Sequence, residues 1–173
     1  MSVDCPLDCP YLVEARRHDR LPDVNPDEFP NADIRIKEGF IDEHANLLIA
    51  VARSLLESSL ETGGATDFDV REALEAIVRT YRTRQSGLIY ETRPANPYAA
   101  AIQQALQTRI DDGSRRLHEA TGMHVVRDSE VLALLVFLQR LEIQHNNGRR
   151  RGRAFLHFLL QHFPRQPESL TSA

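Results

Sequence analysis

Residues 130–145, EVLALLVFLQRLEIQH, are apolar around most of the circumference of any helix they form. Val131, Leu132, Leu134, Leu135, Val136, Phe137, Leu138, Leu141 and Ile143 leave it no broad polar face. Such a helix is stable in water only when neighbours cover it on several sides. It is therefore expected to be the central helix of its fold, or one shared with a second subunit. The chain has no run of 18 apolar residues, so no membrane span is expected.

The covering elements are legible as further helices. Phe40, Ala45, Leu48, Val51, Ala52, Leu55 and Leu56 recur at helical spacing and predict a helix from about Ile36 to Glu61, ended by Gly63–Gly64. Thr66, with Asp69 three residues on, is the pattern of a capped helix start. Its buried stripe would be Phe68, Val70, Leu74, Ile77, Val78 and Tyr81. Asn96–Pro97 opens the next helix, in which Gly113 is a candidate kink and Gly122 the end. Asp128 or Ser129 caps the apolar helix, and GRRRGRAFLHFLLQHF supplies the last one, stopped by Pro164. No segment alternates apolar and polar residues convincingly enough for a sheet, and no repeat of solenoid length is present. The expected fold is all-α: a helical bundle of about five main helices over residues 34–164.

Residues 1–33 read differently. They hold five of the nine prolines, Pro6, Pro10, Pro22, Pro26 and Pro30. LPDVNPDEFPNAD cannot sustain a helix interior or a central strand. A proline-rich arm laid across the body is expected, anchored by Leu21, Val24 and Phe29. PYLVEARRH is expected to add a short helix with Cys9 as its N-cap. Residues 165–173 form a polar tail.

Charge is unevenly spread. Residues 1–75 carry 7 basic and 17 acidic side chains, and residues 76–173 carry 14 and 8. The halves are expected to pack on each other or on a second copy, or to offer a basic surface to an anionic partner. Of the 21 basic residues only Lys37 is not arginine, a bias that fits a high-GC bacterial genome. MSVDCPLDCPYLVEARR lacks the basic-then-apolar pattern of a signal peptide, so the expected compartment is the cytoplasm.

There thiols normally stay reduced. Cys5 and Cys9, in DCPLDCP, are the two cysteines. The helix N-terminus favours a Cys9 thiolate, whereas Asp4 and Asp8 oppose it. Structural zinc needs four ligands. His18 lies too far along the predicted short helix, so body histidines or the arm of a second subunit would have to complete a zinc or iron–sulfur site. Plain thiols and a thiol-based redox sensor are the alternatives.

Two polar stretches are further candidates. In NNGRRRGR, Arg149, Arg150, Arg151 and Arg153 surround a predicted helix start. Free helix amides and guanidinium forks suit phosphate or carboxylate there, with ion pairing to the acidic half as the structural alternative. The stretch lacks interleaved aromatics and the chain is acidic overall, so nucleic acid is not favoured. In YRTRQSGLIYETRPANPY, Arg79 and Arg82 share a helix face, and Tyr90, Glu91, Arg93, Asn96 and Tyr98 crowd a proline-stiffened connector. Such a loop is either a binding surface or a well-satisfied link. Glu142 and His145 form a single Glu-x-x-His pair, whereas di-iron bundles need two. The phosphate loop, dinucleotide and nucleophile-elbow motifs are absent. The expected function is thus a non-enzymatic binding or self-association module, a homodimer or a protein-partner binder, with a metal candidate at Cys5 and Cys9. The alternatives are an anion- or nucleic-acid-binding regulator and a redox sensor.

Overall fold

A computed structural model describes residues 29–122 and 126–164. These residues form an all-α bundle. In chain order its helices are α1 (Phe40–Glu43), α2 (Ala45–Glu61), α3 (Asp67–Gln85), α4 (Pro97–Thr121), α5 (Asp128–His145) and α6 (Ala154–His162). No strand occurs among the described residues. None of the described helices is long and apolar enough to cross a membrane.

The apolar helix α5 lies inside the bundle. It packs chiefly on α3, and also on α2 and α6. Val131, Leu132, Leu134, Leu135, Val136 and Leu138 are all buried, which covers most of its circumference. The chain itself therefore supplies the neighbours that this helix demands. α3 adds Val70, Leu74, Ile77 and Tyr81, α2 adds Leu55 and Leu56, and α6 adds Phe155, Leu156 and Leu159.

Local signals set the helix ends. Asp69 accepts the Thr66 backbone N–H at 2.7 Å, as the capping pattern predicts. The Asn96 side chain accepts from Tyr98 N at 3.0 Å, with Pro97 at the first helical position. Gly87 and Gly122 follow α3 and α4 at φ 79° and 65°, left-handed values that glycine adopts without strain. α4 runs through Gly113 without interruption. Arg127, rather than Asp128 or Ser129, occupies the N-cap of α5.

The first predicted helix is divided. Gly39 (φ 83°) starts the short α1, and His44 (φ −110°, ψ 20°) separates it from α2. The His44 ring packs back on the preceding turn at this break. Its Nδ1 bonds Phe40 O at 2.9 Å, and it stacks on the Phe40 ring with centroids 4.2 Å apart.

Residues 29–33 are tied to the body by polar contacts, whereas the expected anchors Leu21 and Val24 lie outside the described residues. Asn31 (φ 58°) is the hub. Its side chain accepts from Arg82 Nε and donates to Gln139 Oε1, each at 2.8 Å, and its carbonyl accepts from Arg140 Nη2 at 2.9 Å. Arg82 Nη2 also donates to Asp33 at 2.6 Å. Arg109 similarly joins Glu57 and Glu61. The basic half is thus partly matched to the acidic half within the chain. Asn31→Ala is expected to cost about 2 kcal/mol in urea unfolding, because it removes two side-chain bonds, one of them charge-assisted. Asn31→Gly, which keeps the left-handed backbone, is expected to cost less; equal losses would exclude a backbone contribution.

Candidate functional site

The arginine stretch lies in the loop between α5 and α6. Its geometry begins with Gly152, which is buried. A Cβ there would collide with Asn147 Oδ1 and stand 3.0 Å from Arg149 O. The close approach lets Gly152 N donate to Arg149 O at 2.8 Å, while Gly152 O accepts from Asp67 N at 2.9 Å. Arg153 Nε donates to Ala65 O at 2.9 Å. The loop is thereby clasped to the start of α3.

This clasp decides what happens at the α6 N-terminus. The fully buried Asp67 accepts from Phe155 N at 3.0 Å and from Leu156 N at 3.2 Å. These are the amides that an anionic ligand was expected to use. The carboxylate of Asp67 takes that place, at the junction of two helix N-termini where negative charge is favoured. Arg149, Arg150 and Arg151 remain exposed on the outer side of the loop.

The connector between α3 and α4 is held by its backbone. Thr83 Oγ1 donates to Tyr90 O at 3.0 Å, and Thr92 N donates to Thr80 Oγ1 at 3.2 Å. The buried Gln103 donates to Thr92 O at 2.8 Å. Asn96 is a structural cap that also donates to Asp69 at 2.6 Å. Arg82 serves the Asn31 hub, and Arg79 is exposed. The structure thus divides the connector candidates into structural groups and exposed ones. Glu91 and Arg93 lie 3.8 Å apart on the surface, and Tyr98 is partly exposed. At the tip, Leu88, Ile89 and Tyr90 are 63%, 99% and 69% exposed. Leu88 and Ile89 are exposed beside the predicted loop residue Tyr90, and "GLIY" is an apolar run inside a predicted loop that could have marked them.

Glu142 belongs to a buried polar network. Arg71 Nε donates to Oε2 at 2.8 Å, and Asn146 Nδ2 donates to Oε1 at 2.6 Å. Asn146 Oδ1 in turn accepts from Gly148 N at 2.8 Å. Burial pushes the Glu142 carboxyl above its ordinary range, while the bonds from Arg71 and Asn146 pull it back. His145 does not join Glu142 at this network. It stacks on Phe158 at 3.8 Å, and His162 lies against the same ring at 4.4 Å. Burial, with a smaller effect of His162, lowers the His145 imidazole below its usual value.

Cys5 and Cys9 lie outside the described residues, as does the predicted short helix. Among the described residues no group of three or more His, Cys, Asp or Glu side chains is placed to hold a metal ion. A concave site does exist where no candidate was predicted. It is a groove of about 690 Å³ bounded by α2, the second half of α4 and the start of α5. Comparison with protein-family models, curated proteins and solved structures finds no match to this chain.

Proposed function

We propose that the chain is a non-enzymatic association module that pairs with a second copy of itself through the α3–α4 connector. The carrying observation is the run of three consecutive apolar side chains, Leu88, Ile89 and Tyr90, turned to solvent on a backbone tied at Leu88 N to Thr83 O and at Tyr90 O to Thr83 Oγ1. An exposed apolar cluster on an ordered loop is a feature of contact surfaces, whereas single exposed hydrophobes are ordinary. Pre-ordering of the backbone lowers the entropy lost on docking. The rim supports a second copy as the occupant. Glu91 and Arg93, just after the cluster in the chain, bring opposite charges to its edge. Across a two-fold axis the acid of one copy can face the base of the other.

Light scattering and sedimentation over a concentration series test this reading. A dimer mass is expected that dissociates on dilution. Ile89→Asp with Tyr90→Asp is expected to give monomer whose urea midpoint matches that of the wild type at concentrations where the wild type has dissociated, since both side chains are exposed in the single chain. A monomeric wild type at the highest concentrations, or a mass unaffected by the substitutions, overturns the proposal.

A further inference from the structure

The groove lies far from the connector. Gly113, on its wall, is sixteen residues along α4 from Pro97, about 24 Å of helix axis. On α2 it extends from His44 to Ser54, about 15 Å along the axis. Leu47, Val51, Ile110, Leu117 and Val126 supply its apolar surface. A volume of about 690 Å³ is in the range of sites that enclose small organic molecules. Gly113 leaves one stretch of wall bare, and a Cβ there would meet nothing within 4 Å.

The polar groups of the groove point to the charge of its occupant. The Arg109 guanidinium is already engaged by Glu57 and Glu61, so it is a poor receptor for an anion. The other charged groups on the wall are Glu43 and Glu130, with His44 beside them. His44 Nδ1 faces the Phe40 carbonyl, which can only accept, so Nδ1 carries a proton. In the neutral ring Nε2 is then an acceptor. It lies 3.6 Å from Glu130 Oε1, another acceptor. No hydrogen bond joins two acceptors. A donor nitrogen can stand about 2.9 Å from both at once. The second Glu130 oxygen accepts from Arg127 N at 3.2 Å, which orients the carboxylate.

We propose that this groove binds a small amphipathic cation. Its apolar body lies along Leu47, Val51 and Ile110, and its ammonium group donates to His44 Nε2 and Glu130 Oε1. Charge complementarity with Glu43 and Glu130 favours this occupant over a fatty acid or another anionic amphiphile.

The test is a fluorescence titration of the full chain with dansylcadaverine, whose naphthalene body carries a primary amine. Dansylglycine has the same fluorophore and a carboxylate, and is the control. Saturable binding of one dansylcadaverine per chain is expected, with dansylglycine at least about tenfold weaker. Glu130→Gln keeps an acceptor for Arg127 N and removes the charge. It is expected to weaken dansylcadaverine about tenfold, the size of one charge-assisted hydrogen bond. Gly113→Leu fills open space at a helical position, so it is expected to abolish binding and hold or raise the melting temperature. Equal binding of both probes, no binding of either, or a Glu130→Gln variant with unchanged affinity overturns the proposal. So does a probe that lowers the mass of the assembly in light scattering, which would give the groove to a second copy. The Ile89→Asp, Tyr90→Asp variant is expected to bind the probe normally, so each proposal can fail without the other.

Discussion

Arg71→Met is expected to lower the unfolding free energy by about 3 kcal/mol at pH 7, the low end of the cost of breaking a buried ion pair from one side. The low end applies because the Arg71 side chain is 33% exposed, so water screens part of its charge, whereas Glu142 is fully buried. Methionine keeps an unbranched stem but removes the guanidinium, which lies 5.3 Å from the Phe68 ring centroid, and leaves the carboxylate without its counter-charge. The pH dependence identifies the cause. Burial raises the folded-state Glu142 carboxyl above its unfolded value of 4.5. Between those two values the native state holds more protons than the unfolded state. Stability therefore falls as pH rises through this window. Loss of Arg71 removes an interaction that favours the charged form, which widens the window upward. The deficit of Arg71→Met should accordingly shrink on going from pH 7 to pH 5, as Glu142 takes up a proton. Glu142→Gln should remove this pH dependence. Urea unfolding over a pH series measures both effects. A deficit below about 1 kcal/mol at pH 7, or one that does not change with pH, would show that the pair carries little of the stability.

Asp67→Ala is expected to cost a similar amount, about 3 kcal/mol. The loss combines a helix cap with two buried amides, Phe155 N and Leu156 N, that no longer have an acceptor. Unsatisfied buried donors are costly because folding removes their water without replacing it. Asp67→Asn retains one acceptor oxygen but adds a buried NH₂ group, so about half of the loss is expected. Hydrogen exchange gives a local readout: the Phe155 and Leu156 amides should lose protection in Asp67→Ala before the α5 amides do. A variant as stable as the wild type, or one with unchanged protection at these amides, would mean that water caps α6 equally well.

These two substitutions act where long-range pairing dominates, and there the sequence is least informative. Asp67 and Phe155 are 88 residues apart, and Arg71 and Glu142 are 71 apart. Asp67 follows a helix cap, a position that usually faces solvent, and nothing in TDFD says that it will serve a second helix. Glu142 and His145 share the spacing of a single Glu-x-x-His pair, one short of what a di-iron bundle needs. In the folded protein the two side chains take different partners, because Arg71 and Asn146 reach the carboxylate while Phe158 stacks on the ring. At the break the His44 ring contacts the preceding turn. The periodicity of residues 36–61 does not record that contact.

What the sequence by itself determined is therefore local. Helical spacing of apolar residues, the Thr66–Asp69 cap, the Asn96–Pro97 start and the glycines after α3 and α4 each act within a few residues. An all-α bundle that covers α5 on most sides follows, because a helix apolar on most sides must be covered. Tertiary structure alone decided which polar groups meet. It closed the α6 N-terminus with Asp67 and left Leu88, Ile89 and Tyr90 facing water. It also brought His44 and Glu130, each at the start of its own helix, to the same groove wall. Apolar burial is non-directional and tolerates many partners, so a pattern suffices to specify it. Hydrogen bonds and charges require a particular atom at a particular distance, and only the packed chain provides it.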